Sequence, residues 1–227
     1  VEKSPDVELI NYASFLEKHP PQYEAELAEN TSWRCSHGIE RWRSDCGCRV
    51  GRPYGESQAW RAPLRRSLDW LRDEAGAVFE TGAGDLFSSP RDTRNRYISL
   101  ICSRTEDAAD TFLKQESGRD LSAEEQVRAL QLLEMQRHAL LMFTSCGWFF
   151  DEISDIETTQ ILQYACRAIQ LAEHISGKSL ETPFLRLLAK APSNNPAYEN
   201  GRRLYETVVR PARLDLIRVG AHYAVSS

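Results

Sequence analysis

Thirty residues between Thr31 and Trp60 hold three of the five tryptophans, three of the six cysteines and one of the five histidines of this 227-residue chain. The segment, TSWRCSHGIERWRSDCGCRVGRPYGESQAW, has neither a helical nor a strand period. Ordinary loops are built from small polar residues, so a loop of this composition is either buried against something or lines a site.

Two chemistries are open to it. Cys35-x-His37 and Cys46-x-Cys48 offer four soft or borderline ligands suited to tetrahedral zinc. Zinc knuckles usually place two residues between paired ligands, and here one intervenes in each pair. The competing reading is a compact, reduced loop whose cysteines and histidine are buried and hydrogen-bonded. Trp33, Trp42 and Trp60 have a second use. A flat apolar face with a polar N–H edge stacks on a sugar ring, while His37 and neighbouring arginines bind hydroxyls. Packing into the core is the alternative for each tryptophan.

A second constellation, Ser145-Cys-Gly-Trp-Phe-Phe-Asp-Glu152, closes an apolar helical stretch. Gly147 permits a turn or a close approach to the backbone. Asp151 and Glu152 put carboxylates beside the Trp148 ring, as a polyol site requires. Otherwise they supply negative charge at the entry to the next helix. Glu134 and His138 lie one turn apart with Arg137 beside them, the pattern of a salt-bridge network or a polar cavity. His19, His174 and His222 carry no pattern.

The elements that must position these groups read as helices throughout. The spacing predicts helices after Ser4-Pro5, over about 58–79, 91–103 and 106–116, from the capping box Ser122-Ala-Glu-Glu125 to about Ser145, and over 157–176 with Gly177 as its stop. Further helices are expected near 183–190 and over 197–219, the last bending at Pro211. Period-two runs of β-branched residues and βα alternation are absent. The expected fold is all-α, an irregular antiparallel array of about 7–9 helices in a single domain over 1–227, with one long Trp/Cys-rich loop over 31–60. Residues 81–92 form a surface loop or hinge. Cys102, Cys146 and Cys166 fall in apolar helical patterns and are expected to be buried.

Composition narrows the function. Hydrophobic residues make up 41% of the chain, enough for a substantial core. The net charge of −5 and pI near 5.6 argue against binding nucleic acid, despite the local run of arginines at 34, 41, 43, 49, 52, 61, 65 and 66. The longest apolar stretch, residues 138–150, falls short of the roughly 20 residues a membrane span needs. Six cysteines are too sparse for a disulfide scaffold, so a reducing, cytoplasmic setting is expected. The start at Val1 is read as a cut from a longer polypeptide or a processed end.

TSWRCSHGIERWRSDCGC, QAWRAPLRRSLDWLRDE and LLEMQRHALLMFTSCGWFFDEISDIETTQILQYACRAIQLAE resemble the helical C-terminal region of uncharacterised proteins related to family-57 glycoside hydrolases. In that family an N-terminal distorted α/β barrel carries the catalytic glutamate and aspartate, and the helical region closes over it and lends aromatics to the sugar cleft. The resemblance implies a lid or scaffold domain whose partners are a barrel on the same polypeptide and a carbohydrate, with no catalytic residue of its own. It makes Trp148, Asp151 and Glu152 the sugar-contacting positions and aligns Trp33 and Trp60 with the neighbouring loop and helix start. Cys146-Gly147 stands where the family has an acid before the tryptophan, and the Cys/His cluster is peculiar to the uncharacterised branch. A retaining glycosidase needs two carboxylates about 5–5.5 Å apart across the scissile bond. Adjacent Asp151 and Glu152 cannot supply that, so this chain alone is expected to be inactive. The competing class is a zinc-binding or redox-sensing helical module built on Cys35, His37, Cys46 and Cys48, and a third is a protein-interaction domain.

Overall fold

The computed structural model describes residues 8–32, 34–51, 57–103, 105–213 and 215–226. Its elements in chain order are α1 (Tyr12–Lys18), α2 (Arg61–Ala83), α3 (Pro90–Arg96), α4 (Ile98–Cys102), α5 (Glu106–Ser117), α6 (Ala123–Leu141), α7 (Cys146–Phe149), α8 (Ile156–Ser176), α9 (Glu181–Leu188), α10 (Gly201–Leu204) and α11 (Leu216–Ser226). Among the described residues there is no strand, only an isolated antiparallel bridge between Pro192 and Asn200. The all-α expectation holds. None of the helices is long and apolar enough to cross a membrane.

Local chemistry sets most boundaries. Ser122 opens α6 with a full capping box, its hydroxyl accepting from the Glu125 amide while the Glu125 carboxylate accepts from the Ser122 amide. Thr105 caps α5 by a single bond, its hydroxyl accepting from the Ala108 amide. Gly177 ends α8 at φ +70°, its amide bonded to the Glu173 carbonyl. Pro63 sits in the first turn of α2, where its missing N–H costs nothing.

Several boundaries differ from expectation, and the helix expected over 91–103 is two, α3 and α4. The first helix starts at Tyr12, capped by the Asn11 side chain, and residues 1–7 lie outside the described ones. The helix expected to end near 79 runs on through Gly82 to Ala83, and the missing side chain of Gly82 admits Leu132 of α6, whose Cδ2 would lie 3.2 Å from a Cβ. The supposed hinge after it is pinned by Leu86 and Phe87, both buried. The helix expected over 197–219 is several pieces. After α10 the chain makes a π turn over Tyr205–Val209, with the Arg210 amide reaching back to the Tyr205 carbonyl, then a 3-10 turn over Arg210–Ala212. The wider turn falls just before Pro211, whose ring cannot follow an ordinary α-helical carbonyl. Of the three cysteines expected in the core only Cys166 is there; Cys102 and Cys146 are exposed.

The core is one apolar cluster reaching from Trp60 to Val209. α6 lies along α8, and α2 packs on both and on α9. Leu64, Leu68, Leu71 and Ala75 of α2 recur every three or four residues and are fully buried, as are Leu132 and Leu133 of α6 and Ile161, Leu162, Ala165 and Ile169 of α8. Each such leucine or isoleucine contributes about 1.5–3 kcal/mol by leaving water. By contrast, α1 buries no residue.

Candidate metal centre

The Cys/His loop is folded by its own turns before it meets the helices. Gly38 takes φ +68°, and a Cβ there would lie 2.4 Å from the Asn30 carbonyl oxygen, so glycine is required on both counts. The Gly38 amide closes on the Cys35 carbonyl at 3.2 Å, and the Ser32 hydroxyl accepts from the Cys35 amide while donating to the Gly38 carbonyl. Between the second pair of cysteines Gly47 adopts φ +78° and donates to Asp45 Oδ1 at 3.0 Å. These two turns remove the objection raised by one-residue spacing, since each bends its pair back toward a common point.

At that point Cys35 Sγ lies 3.7 Å from Cys46 Sγ, 3.8 Å from Cys48 Sγ and 3.8 Å from His37 Nδ1, and Cys48 Sγ lies 3.5 Å from His37 Nδ1. All four ligand atoms fall within 4.8 Å of one another. A tetrahedral zinc with Zn–S of about 2.3 Å and Zn–N of about 2.0–2.1 Å has edges of about 3.8 Å between sulfurs and about 3.5–3.6 Å between sulfur and nitrogen. The sulfurs are too far apart for a disulfide, which needs about 2.05 Å, and the six cysteines are free. Burial pushes the Cys35 thiol up, but hydrogen bonds with the His37 backbone and ring and with Cys46 and Cys48 outweigh it and bring it down to about 7. Cys46 is pushed up, by burial first and then by the neighbouring Cys35.

The folded loop is fastened to the helices by buried arginines and by the Asp151–Glu152 pair. Arg41 and Arg61 are both buried. Arg41 Nη1 donates to the Phe149 carbonyl at 2.9 Å, and Arg61 Nη2 to that of Phe150 at 3.0 Å. The guanidiniums of Arg34 and Arg41 lie 5.5 and 5.2 Å from the centre of the Phe149 ring. Asp151 accepts from the Val50 amide at 2.7 Å and from Gln58 Nε2 at 2.6 Å, with Arg61 4.0 Å away. Burial lowers the Arg61 pKa and the Arg41 charge adds to this, against the opposing pull of Cys46, Asp151 and Asp45. Glu152 accepts from the Ser193 hydroxyl at 2.5 Å and from the Asn194 backbone and side-chain amides at 2.9 and 2.7 Å. Asn194 in turn exchanges two hydrogen bonds with Ser57.

This geometry corrects the sugar-contact expectation at four positions. Trp60 and Trp148 are 0% and 1% exposed. Trp60 Nε1 donates to the Asp151 carbonyl at 3.2 Å, and Trp148 stacks on Phe143 with its own Nε1 buried and without a partner among the described residues. Both rings are core. Asp151 and Glu152 are 1% exposed and spend their oxygens on protein donors, so neither faces a cleft. Nor do they serve the entry of α8, which begins at Ile156. Trp42 is half-buried, its Nε1 on the Ser145 carbonyl at 3.1 Å, and His37 is exposed at the cluster. Trp33 lies outside the described residues. The trio on α6 forms the expected network: Glu134 holds Arg137 at 3.1 Å, His138 at 3.6 Å and the Tyr97 hydroxyl at 2.7 Å.

Hydrogen bonding by Gln58, Ser193 and Asn194, and burial of Arg41 and Arg61, could not be read from the sequence, since each depends on segments far apart in the chain. The one available signal was the excess of arginine over lysine in the loop, which favours fixed, planar hydrogen bonding.

No curated protein and no solved structure is significantly similar to the chain. A family described as a domain of unknown function (DUF3536) matches residues 57–227, from the start of α2 onward, with Cys35, His37, Cys46 and Cys48 all upstream of the match. The chain therefore belongs to the DUF3536 family.

Proposed function

We propose that the chain is a metal-clamped helical domain, in which Cys35, His37, Cys46 and Cys48 hold one structural zinc ion that keeps the loop over 31–50 folded on the helical bundle. The observation that carries this reading is the convergence of four ligand atoms within 4.8 Å, with four of their six separations at 3.5–3.8 Å, the edges expected around tetrahedral zinc. Charge supports it. Three thiolates, a neutral imidazole and Zn²⁺ sum to −1, and the loop buries Arg41, which has no ion pair among the described residues. An anionic centre beside buried guanidiniums offsets part of their desolvation cost. With all four positions filled by protein the ion is closed to substrate, the arrangement of a structural rather than a catalytic site.

Metal analysis of the purified chain tests this. One equivalent of zinc is expected, and cobalt in its place should give the intense visible bands of a tetrahedral thiolate site. Chelation should make the loop protease-sensitive while leaving most helicity intact, because the loop carries only the short 3-10 turn Glu40–Trp42. Metal-replete protein without stoichiometric zinc, and Cys46→Ser with an unaltered cleavage pattern, would reject the reading.

The resemblance to the helical region of family-57-related proteins supports a second statement, that this domain serves a carbohydrate-active enzyme whose catalytic barrel lies on the same polypeptide. The exposed apolar residues of the terminal helices, Tyr12, Phe15 and Leu16 on α1 and Ile217 and Tyr223 on α11, fit contact with another domain. In that setting Trp60, Trp148, Asp151 and Glu152 build the wall, while Trp42 and His37 are the candidates to meet a sugar. The isolated chain should not turn over a chromogenic α-glycoside. A parent gene without an upstream barrel would reject this statement and leave the zinc reading untouched.

A further inference from the structure

On one flank of the bundle α8 turns a polar stripe outward at a spacing of three and four residues: Gln160, Gln163, Arg167 and Gln170. It is not an open helix face. The π turn and the 3-10 turn after it bring Val209, Ala212 and Arg213 over the stripe, and His138 of α6 and Tyr164 close it from the other side. The result is a cavity of about 260 Å³. Clefts that hold drug-sized ligands span about 300–1,000 Å³, so this one suits a small metabolite and not an oligomer. It shares no residue with the Cys/His cluster or with the Asp151–Glu152 anchors.

The lining has a definite polarity. Among the described residues Arg167 and Arg213 are its charged members and no carboxylate lines it. Arg213 is engaged with Glu181 at 3.6 Å. Arg167 has no ion pair among the described residues, and the side chains of Gln160 and Gln163 make no hydrogen bond there either. A half-buried guanidinium without a carboxylate, beside two uncommitted amides, is a recognition surface for an anion with neighbouring hydroxyls. The fork of N–H groups matches phosphate or carboxylate, and each amide both donates and accepts. Desolvation lowers the His138 pKa against the pull of Glu134, and its ring packs at 5.9 Å from that of Tyr164. Tyr164 contributes an aromatic wall of the kind against which the apolar face of a sugar rests.

We infer that this cavity binds a small hydroxylated anion of the size of a monosaccharide phosphate, with Arg167 holding the anionic group and Gln160 and Gln163 the hydroxyls. The site is independent of the zinc reading and of the family-57 reading.

Calorimetric titration of the whole chain with glucose 6-phosphate, glucose and inorganic phosphate tests the inference. Saturable binding of the sugar phosphate is expected, about tenfold or more tighter than either fragment alone. Arg167→Gln should weaken it about tenfold or more, the usual scale for losing a hydrogen-bonded charge. Gln163→Ala should weaken it by a smaller factor, and Arg186→Gln, on the exposed side of α9, should leave it unchanged. Helical content and melting temperature of each variant show that the fold is retained. Equal affinity for inorganic phosphate would overturn the hydroxyl contacts, equal affinity for glucose would overturn the anion contact, and absence of saturation up to about 10 mM for all three probes would overturn the site. An equal loss of affinity in Arg186→Gln would also overturn it, since the effect would then be one of general charge.

Discussion

Gly147 lies where α7 meets α8, and adding one methyl group there probes how tightly the Trp148 segment is held. A Cβ would fall 1.6 Å from Ile161 Cδ1, 2.6 Å from its Cγ1 and 3.4 Å from its Cβ. Carbon atoms in contact prefer about 3.5–4.0 Å, so Gly147→Ala must displace the end of a buried isoleucine by about 2 Å. The backbone cannot slide away easily, because the Gly147 carbonyl accepts from the buried Thr158 hydroxyl of the same α8 at 2.6 Å. Overpacking of this kind costs about 1–3 kcal/mol. A cavity bordering Gly147 and Ile161 offers the side chain one route of escape, which favours the lower half of that range. Ile161→Ala removes the two clashing atoms and by itself costs about 2–5 kcal/mol. The double variant should therefore be less destabilised than the sum of the singles by about 1–3 kcal/mol. Urea unfolding followed by circular dichroism measures all three, and the glycine variant should melt about 2–12 °C lower. Gly147→Ala within about 0.5 kcal/mol of wild type, or strictly additive variants, would refute the argument that glycine is there for helix contact.

Other perturbations reach the remaining polar anchors. Arg96 holds the buried Glu116 carboxylate at 2.6 and 2.7 Å, with the Thr93 hydroxyl at 2.7 Å, and this lowers the Glu116 pKa below its ordinary value of 4.5 despite burial. The unfolded chain then takes up this proton first as pH falls, so the contribution is complete above about pH 4.5 and is lost as pH falls through the folded value. Glu116→Gln should lower stability at neutral pH and flatten that acid limb in unfolding curves recorded between neutral and acid pH. Asp151→Ala should cost about 3–5 kcal/mol in denaturant unfolding, because it strands the buried Arg61; a loss under about 1 kcal/mol would mean that Arg61 is satisfied by Gln58 and the Phe150 carbonyl alone.

What could be read from the sequence was whatever depends on neighbours. The capping box at Ser122 and the stop at Gly177 use residues within a few positions of each other, and both appear where expected. The four ligands of the loop were also visible, since each pair is nearly contiguous. Their convergence was not, because it rests on the left-handed glycines Gly38 and Gly47, which spacing alone does not reveal. The orientation of Trp60 and Trp148 was misjudged for a related reason. Three aromatics in a row must face different ways, but which one enters the core is decided by residues outside the run, such as Phe143, on whose ring Trp148 stacks. Cys102 and Cys146 ended exposed since each sits at a helix end, where apolar periodicity no longer specifies a face.

The adjacent carboxylates Asp151 and Glu152 also set an order of assembly. Their bonds to Val50 and Gln58 bridge 101 and 93 residues, and those to Ser193 and Asn194 bridge 41 and 42. Closing such loops is slow compared with pairing α6 and α8 across a short connection. The Cys/His segment is therefore synthesised ahead of the helices that receive it and is among the last parts to dock. At about 5–20 residues per second, its thiols leave the ribosome some 5–20 seconds before Asp151 exists to receive the loop. Through that interval the three cysteines are held only by their own turns, and it is then that a metal ion would be captured or an oxidant would find them undefended.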